Sequence, residues 1–180
     1  MGNRLSKIVT RTGDQGSTGL ANGDRIDKSD ARVHAMGDID ELNSQIGVLL
    51  TQALPAAVRS TLQREQHTLF NLGGELAIPG SVLVHDEDLA RLDAALESFN
   101  ADLPPLKEFV LPGGNAAAAH CHVARAVARR AERQVWALHQ RDPLNPATPR
   151  YLNRLSDLLF VIARTLARDG GGSEVTWVRC

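Results

Sequence analysis

Apolar residues return every three or four positions in five stretches of the chain, the spacing that turns one face of an α-helix toward a core. The first stretch begins after Ser29 or Asp30, either able to cap a helix, and runs to about Ala53 on Val33, Ile39, Leu42, Ile46, Leu49 and Leu50. Pro55 opens a second, to about Ile78, on Val58, Leu62, Leu69, Leu72 and Leu76. Inside it Gly73-Gly74 costs roughly 1 kcal/mol per glycine relative to alanine, a cost that close helix packing or an approaching ligand would explain. Asp86 to about Phe99 gives a third helix with Leu89, Leu92, Leu96 and Phe99 inward and polar residues elsewhere, so it lies at the surface. Asn115 caps the fourth, in which Val123, Ala124, Val127, Ala128, Ala131, Val135 and Leu138 share one arc. For the fifth, Thr148-Pro149 reads as N-cap and first helical residue. It continues through Leu152, Leu155, Leu159, Ile162 and Leu166 and stops at Gly170-Gly171-Gly172. The expectation is a single all-α domain over 1–180, a five-helix bundle with a four-helix core. Residues 30–169 form the bundle, residues 1–29 an irregular arm, and residues 170–180 a tail too short to assign.

The fourth helix is apolar on one side and lined with guanidiniums on the other. Arg125, Arg129 and Arg133 follow an i, i+4, i+8 ladder with Arg130 beside it. Like charges at that spacing destabilise an isolated helix by a few tenths of a kcal/mol per pair, and Glu132 offers the local relief. Four arginines within nine residues, in a chain of net charge −1, call for an anionic partner. Asp38, Asp40 and Glu41 crowd one turn of the first helix and invite pairing with those arginines, within a subunit or between subunits.

The arm has turn chemistry instead of periodicity. Gly13, Gly16 and Gly19 recur every third residue among Thr10, Thr12, Ser17 and Thr18, a pattern able to curl backbone N–H groups around an anion, with Arg11 and Lys28 at its ends. It is neither a P-loop nor a dinucleotide fingerprint, since no Gly-Lys-Ser/Thr and no GxGxxG spacing occur. Before the fourth helix, Phe109-Val110-Leu111 is apolar but bracketed by prolines and glycines. It either tucks under the bundle or lines a pocket beside the arginines.

Composition narrows the chemistry. Hydrophobic residues make up 43% of the chain but aromatics only 4%, which favours a Leu/Ala/Val core of helices. With 20 cations against 21 acids, the chain is not built to coat nucleic acid or an anionic membrane. All cations but Lys7, Lys28 and Lys107 are arginine, the residue suited to bidentate phosphate contacts. Two cysteines, Cys121 and Cys180, give no disulfide framework and no metal spacing. No signal peptide and no apolar run near the roughly 20 residues of a membrane span are visible, so a cytoplasmic location is expected. A di-iron bundle would need Glu-x-x-His on two helices, and Glu65 and His67 stand two apart. His120 and His122 point about 200° apart on one helix, so they read as structural or surface residues. What these exclusions leave is a site for a small, highly charged anion, with a nucleoside triphosphate the obvious candidate.

Three blocks then carry a resemblance. They are Thr10-Arg-Thr-Gly-Asp-x-Gly-x-Thr18; Gly37-Asp-Ile-Asp-Glu-Leu-Asn-Ser44 with Phe109-Val-Leu-Pro-Gly-Gly114; and Arg129-Arg-Ala-Glu-Arg133 followed by Tyr151-Leu-Asn-Arg-Leu-Ser-Asp-Leu-Leu-Phe160. Together the chain resembles the ATP:cob(I)alamin adenosyltransferases of the propanediol-utilisation type, with the blocks in the family's order across nearly the whole length. The resemblance implies a homotrimer with active sites between subunits. It implies ATP contacts from Thr10, Arg11, Thr12, Gly13, Thr18, Gly19 and Lys28 of the arm, from Arg129, Arg130 and Arg133, and from Asn153. It also implies an ion pair across the interface between Asp40 and Arg129, supported by Glu132 and Arg125. Phe109 would occupy the lower axial face of the cobalamin, excluding its dimethylbenzimidazole. Gln15 departs from the family, where lysine often stands. The implied reaction is attack of cob(I)alamin, reduced from cob(II)alamin, on C5′ of ATP, with Mg²⁺ on the phosphates and a flavoprotein-type reductant compatible with the scheme. From another class, a non-catalytic nucleotide- or corrinoid-sensing bundle would use the same residues.

Overall fold

A computed structural model describes residues 8–179. Five helices follow in order: α1 Ala31–Leu50, α2 Ala56–Ala77, α3 Asp86–Ala101, α4 Ala116–Arg141 and α5 Ala147–Arg168. α4 packs on both α1 and α5; α1 also packs on α2, and α5 on α3. α4 can hold two partners at once because Cys121, Ala124, Ala128 and Ala131 are small and fully buried, so the neighbouring backbones approach closely. α5 supplies bulk in return: Tyr151, Leu152, Leu155, Leu158, Leu159 and Ile162 have no exposure at all. Burying each aliphatic side chain of this kind is worth about 1.5–3 kcal/mol.

Several expectations about the ends of elements are corrected. α1 is capped by Asp30, whose carboxylate accepts from Arg32 N at 2.7 Å, and it stops at Leu50, three residues before Ala53. α5 starts at Ala147, so Thr148 is no cap. Asn145 accepts from Ala147 N at 3.1 Å instead, and the buried Thr148 hydroxyl donates to Glu75 of α2. The Thr148 hydroxyl faces a buried carboxylate, and a hydroxyl–carboxylate bond is charge-assisted and stronger than a neutral one. Val123, placed on the core arc from its spacing, is 46% exposed at the edge of the stripe. Asn115 caps α4 as expected, accepting from Ala118 N at 2.9 Å.

The arm is more ordered than its turn chemistry suggested. Ser17–Gly19 (β1) and Arg25–Asp27 (β2) form a two-stranded antiparallel hairpin with Thr18 opposite Ile26. The hairpin is tied to the bundle where Leu20 is buried and Ala21 N donates to Ala77 O at 3.0 Å. The tail also acquires a place: Thr176 bridges Val110, and Glu174 is gripped by Arg164 and Arg168 of α5. Among the described residues no helix is long and apolar enough to cross a membrane.

Candidate functional site

The arginine face of α4 divides once folded. Arg130 donates to Asp38, at 3.2 Å, and to Glu41, so two of the three clustered acids of α1 neutralise it within the chain. Asp40, between them in sequence, points away and is exposed. Among the described residues neither Arg129 nor Arg133 forms an ion pair; both are exposed, and Arg133 Nη1 donates to the backbone Arg129 O at 2.9 Å. Glu132 does not relieve them; it accepts from Asn153 Nδ2 of α5 at 3.2 Å, joining two expected site residues across the α4–α5 seam. Arg125, one turn before Arg129, lies 6.0 Å from the centre of the Phe160 ring, and its Nε is buried without a partner.

Phe109 lies above this end of α4. Its ring is 79% exposed, so the Phe109–Leu111 triplet does not tuck under the bundle. Trp177 N donates to Phe109 O at 2.7 Å and Leu111 N to Val175 O at 2.8 Å, while the Trp177 ring meets Phe109 edge-on, with centroids 6.4 Å apart. Phe109, Leu106, Lys107, Val110, Arg125 and Phe160 surround an open cavity of about 430 Å³. Its walls are aromatic and aliphatic, with Lys107, Glu108 and Arg125 supplying the charged groups, an arrangement suited to a broad flat ligand with a polar rim. Sequence reasoning found Phe109 but missed Phe160 and Trp177. The only signal for them was an aromatic in a chain with so few.

A second hollow, of about 280 Å³, lies between α1 and α2 and is lined by Met36, Ile39, Asp40, Asn43, Phe70, Gly73 and Gly74 among others. The Gly73-Gly74 pair borders this hollow, and Cβ atoms there would meet Ile39 at 4.0 Å and Leu83 at 3.5 Å, ordinary contact distances, so close packing does not by itself demand glycine. Asp38 Oδ2 and Asn43 Oδ1, beside Asp40, are buried without hydrogen-bond partners.

In the arm, Thr10 and Thr12 hydroxyls lie 3.0 Å apart, and Lys28 reaches over Gly13, where a Cβ would come within 3.1 Å of Nζ. A side chain there would also come within 3.2 Å of Ser17 O, so glycine lets Lys28 lie over the loop without displacement. Thr18 and Gly19 belong to β1, and Arg11 takes a left-handed φ of 58°. Arg25, overlooked in the sequence, organises the loop: its Nη2 donates to Thr12 O and Ser17 Oγ, both at 2.6 Å. Among the described residues no hydrogen bond or ion pair joins the arm to Arg129 or Arg133.

The fold and site define a class of helical-bundle protein in which two arginines of α4 are unpaired among the described residues and an open, partly aromatic cavity lies against Arg125. Comparison with known proteins gives the family. The cobalamin adenosyltransferase family model matches residues 8–166, and the chain belongs to that family. A cobalamin adenosyltransferase of Cupriavidus metallidurans is 57% identical over 180 residues, covering 99% of this chain and 98% of its own. A corrinoid adenosyltransferase of Bacillus subtilis is 41% identical over 96% of this chain and 93% of its own. Among solved structures, an alanine-for-phenylalanine variant of the PduO-type ATP:corrinoid adenosyltransferase from Lactobacillus reuteri, complexed with cobalamin and ATP, superposes with a TM-score of 0.90 at 30% identity, covering 96% of this chain and 100% of that one. A lysine-for-arginine variant of the same protein, complexed with ATP, gives 0.88 at 30% identity over 95% of this chain and 100% of that one. The resemblance read from the three motif blocks, the helical-bundle fold and the enzymatic reading are borne out together.

Proposed function

We propose that this chain transfers the 5′-deoxyadenosyl group of ATP to cob(I)alamin at sites formed between subunits of a cytoplasmic homotrimer, acting as one adenosyltransferase domain. The observation that carries the site assignment is that Arg129 and Arg133 have no carboxylate partner among the described residues, while Arg130 beside them has two. The triphosphate is their counterion. Asp40, exposed and without an ion pair among the described residues, is available to Arg129 of a neighbouring subunit.

In this reading the arm wraps the nucleotide with Thr10, Arg11, Thr12, Gly13, Thr18, Gly19 and Lys28, and Asn153 adds a contact held in place by Glu132. The cavity under Phe109 takes the corrin ring. Phe109 fills the lower axial face, which keeps the nucleotide base of cobalamin off the metal and makes reduction to cob(I)alamin easier. The cobalt lone pair then attacks C5′, the C5′–O bond breaks, and triphosphate leaves with the electron pair. The corrinoid supplies the difficult chemistry; the chain contributes alignment and fixed positive charge where the leaving group becomes more negative. Among the described residues no cluster of three His, Cys, Asp or Glu is placed to hold a metal, so Mg²⁺ would be carried on phosphate oxygens. A flavoprotein-type reductant fits the same scheme.

Incubation with ATP, Mg²⁺ and chemically reduced cobalamin is expected to yield adenosylcobalamin and triphosphate. Release of pyrophosphate or inorganic phosphate without a cobalt–carbon bond would refute the proposal. Phe109→Ala should lose the spectrum of base-off cob(II)alamin, and an unchanged spectrum would remove Phe109 from that role.

A further inference from the structure

The last four carbonyls of any α-helix lack partners inside the helix. In α2 all four are taken, and by whom is informative. Gly74 O and Glu75 O accept from Ile78 N, at 3.1 and 3.3 Å, as a continuing chain provides. Ala77 O accepts from Ala21 N of the arm at 3.0 Å. Leu76 O accepts from Arg32 Nη1 of α1 at 2.6 Å. α2 has no basic residue of its own in its last turn, so this guanidinium is the cation that meets the negative end of its dipole.

Arg32 is 5% exposed, and its second nitrogen donates to the carboxylate of Asp142, the residue that ends α4. A longer contact runs parallel to this one: Arg141 lies 3.7 Å from Asp30, the cap of α1. One buried guanidinium therefore joins three elements. It is rooted in α1 directly after the arm, holds the end of α2 on which the arm hangs, and is anchored to the end of the helix that carries Arg129 and Arg133.

We infer that Arg32 and Asp142 form a strap that sets the arm of each subunit relative to the bundle, so that both are positioning residues for ATP. Neither touches nucleotide. The inference rests on the proposed role of the arm and goes beyond it. Cutting the strap removes no ATP-contacting side chain but lets the arm root move, so the ordering of the arm has to be supplied when ATP binds. The effect falls on ATP and spares the corrinoid, whose cavity is built from the other end of α4, the 106–110 segment and α5.

Asp142 is the residue to change, because its side chain is 55% exposed and Arg32 keeps its bond to Leu76 O when it is lost. Asp142→Ala is expected to raise the KM for ATP about tenfold, with kcat and the KM for cobalamin within twofold of wild type. Asp142→Glu should restore the KM for ATP. Trypsin should cleave after Arg25 and Lys28 faster in Asp142→Ala than in wild type without any ligand. Arg150→Ala, which breaks a surface pair at the start of α5, serves as the control and should change none of these. An unchanged KM for ATP in Asp142→Ala overturns the strap, as do kcat and both KM values shifting together, which is what general loosening produces. Equal protease resistance of Asp142→Ala and wild type overturns it whether or not adenosyl transfer occurs. Wild-type protein that forms no adenosylcobalamin, with cleavage still faster in the variant, counts against the functional reading alone.

Discussion

Charge is handled in opposite ways inside the bundle and along the outer face of α4. Inside, Glu65 is 1% exposed, yet it accepts from the Tyr151 hydroxyl at 2.7 Å and from Arg91 at 3.4 Å. Glu75 is 4% exposed and accepts from Leu83 N, Val84 N, Asn145 and the Thr148 hydroxyl. On α4, Arg129 and Arg133 face outward without a carboxylate among the described residues, and Arg125 keeps a buried Nε unpartnered. A buried charge without partners costs several kcal/mol, so folding satisfies the ones it encloses. A chain that can arrange four donors around Glu75 could also have matched Arg129. Unmatched, exposed cations on α4 are what the proposed triphosphate site requires, and under that proposal the two regions separate residues that hold the fold from residues that serve the reaction.

Four measurements would break or sharpen that contrast. Glu65→Ala should cost about 3–5 kcal/mol in urea denaturation, because Arg91 and the Tyr151 hydroxyl lose their acceptor. That phenol is held well above its ordinary pKa of 10.0, by burial first and by the Glu65 charge second, so it remains a donor across the working range of pH. Arg129→Ala should lower kcat by roughly 10²- to 10³-fold, the loss of a fixed charge at a developing anion, with stability unchanged within about 0.5 kcal/mol. Matched losses in both would erase the division. A smaller effect is expected at His122, which is 3% exposed with Nδ1 unpartnered. Burial first, and Arg125 second, lower its pKa from the ordinary 6.5. The unfolded chain then binds a proton that the folded chain resists. Stability should fall as pH drops below 6.5 toward the lowered value, and His122→Phe should flatten that slope. Least of all, Arg150→Ala should leave the melting temperature within error, since its contact to Asp86 at 3.3 Å is at the surface.

How far the sequence could be read depended on the range of the interaction. The helices were legible because their apolar periodicity is local, and the α1 and α4 caps because Asp30 and Asn115 bond residues two and three positions away. Thr148 was misplaced for the converse reason: its partner Glu75 is 73 residues distant, and nothing beside Thr148 reveals it. Val123 failed at the margin of an arc, where a small rotation of α4 decides between core and solvent.

The same division runs through the site. Phe109, Asp40 and the arginines could be named from the motif blocks, but not which of Asp38, Asp40 and Glu41 would neutralise which arginine. Arg25, Trp177 and Phe160 were given no role because their importance lies in what they contact. By itself the sequence determined a five-helix, arginine-faced member of the cobalamin adenosyltransferase family. Only the tertiary structure decided that Arg130 is paired and Arg129 is not, that the tail holds Phe109, and that Arg32 joins the end of α2 to Asp142 at the end of α4. Hydrophobic period and capping act over a few residues and leave their pattern in the chain, whereas ion pairs between helices depend on a register that exists only after the helices have packed.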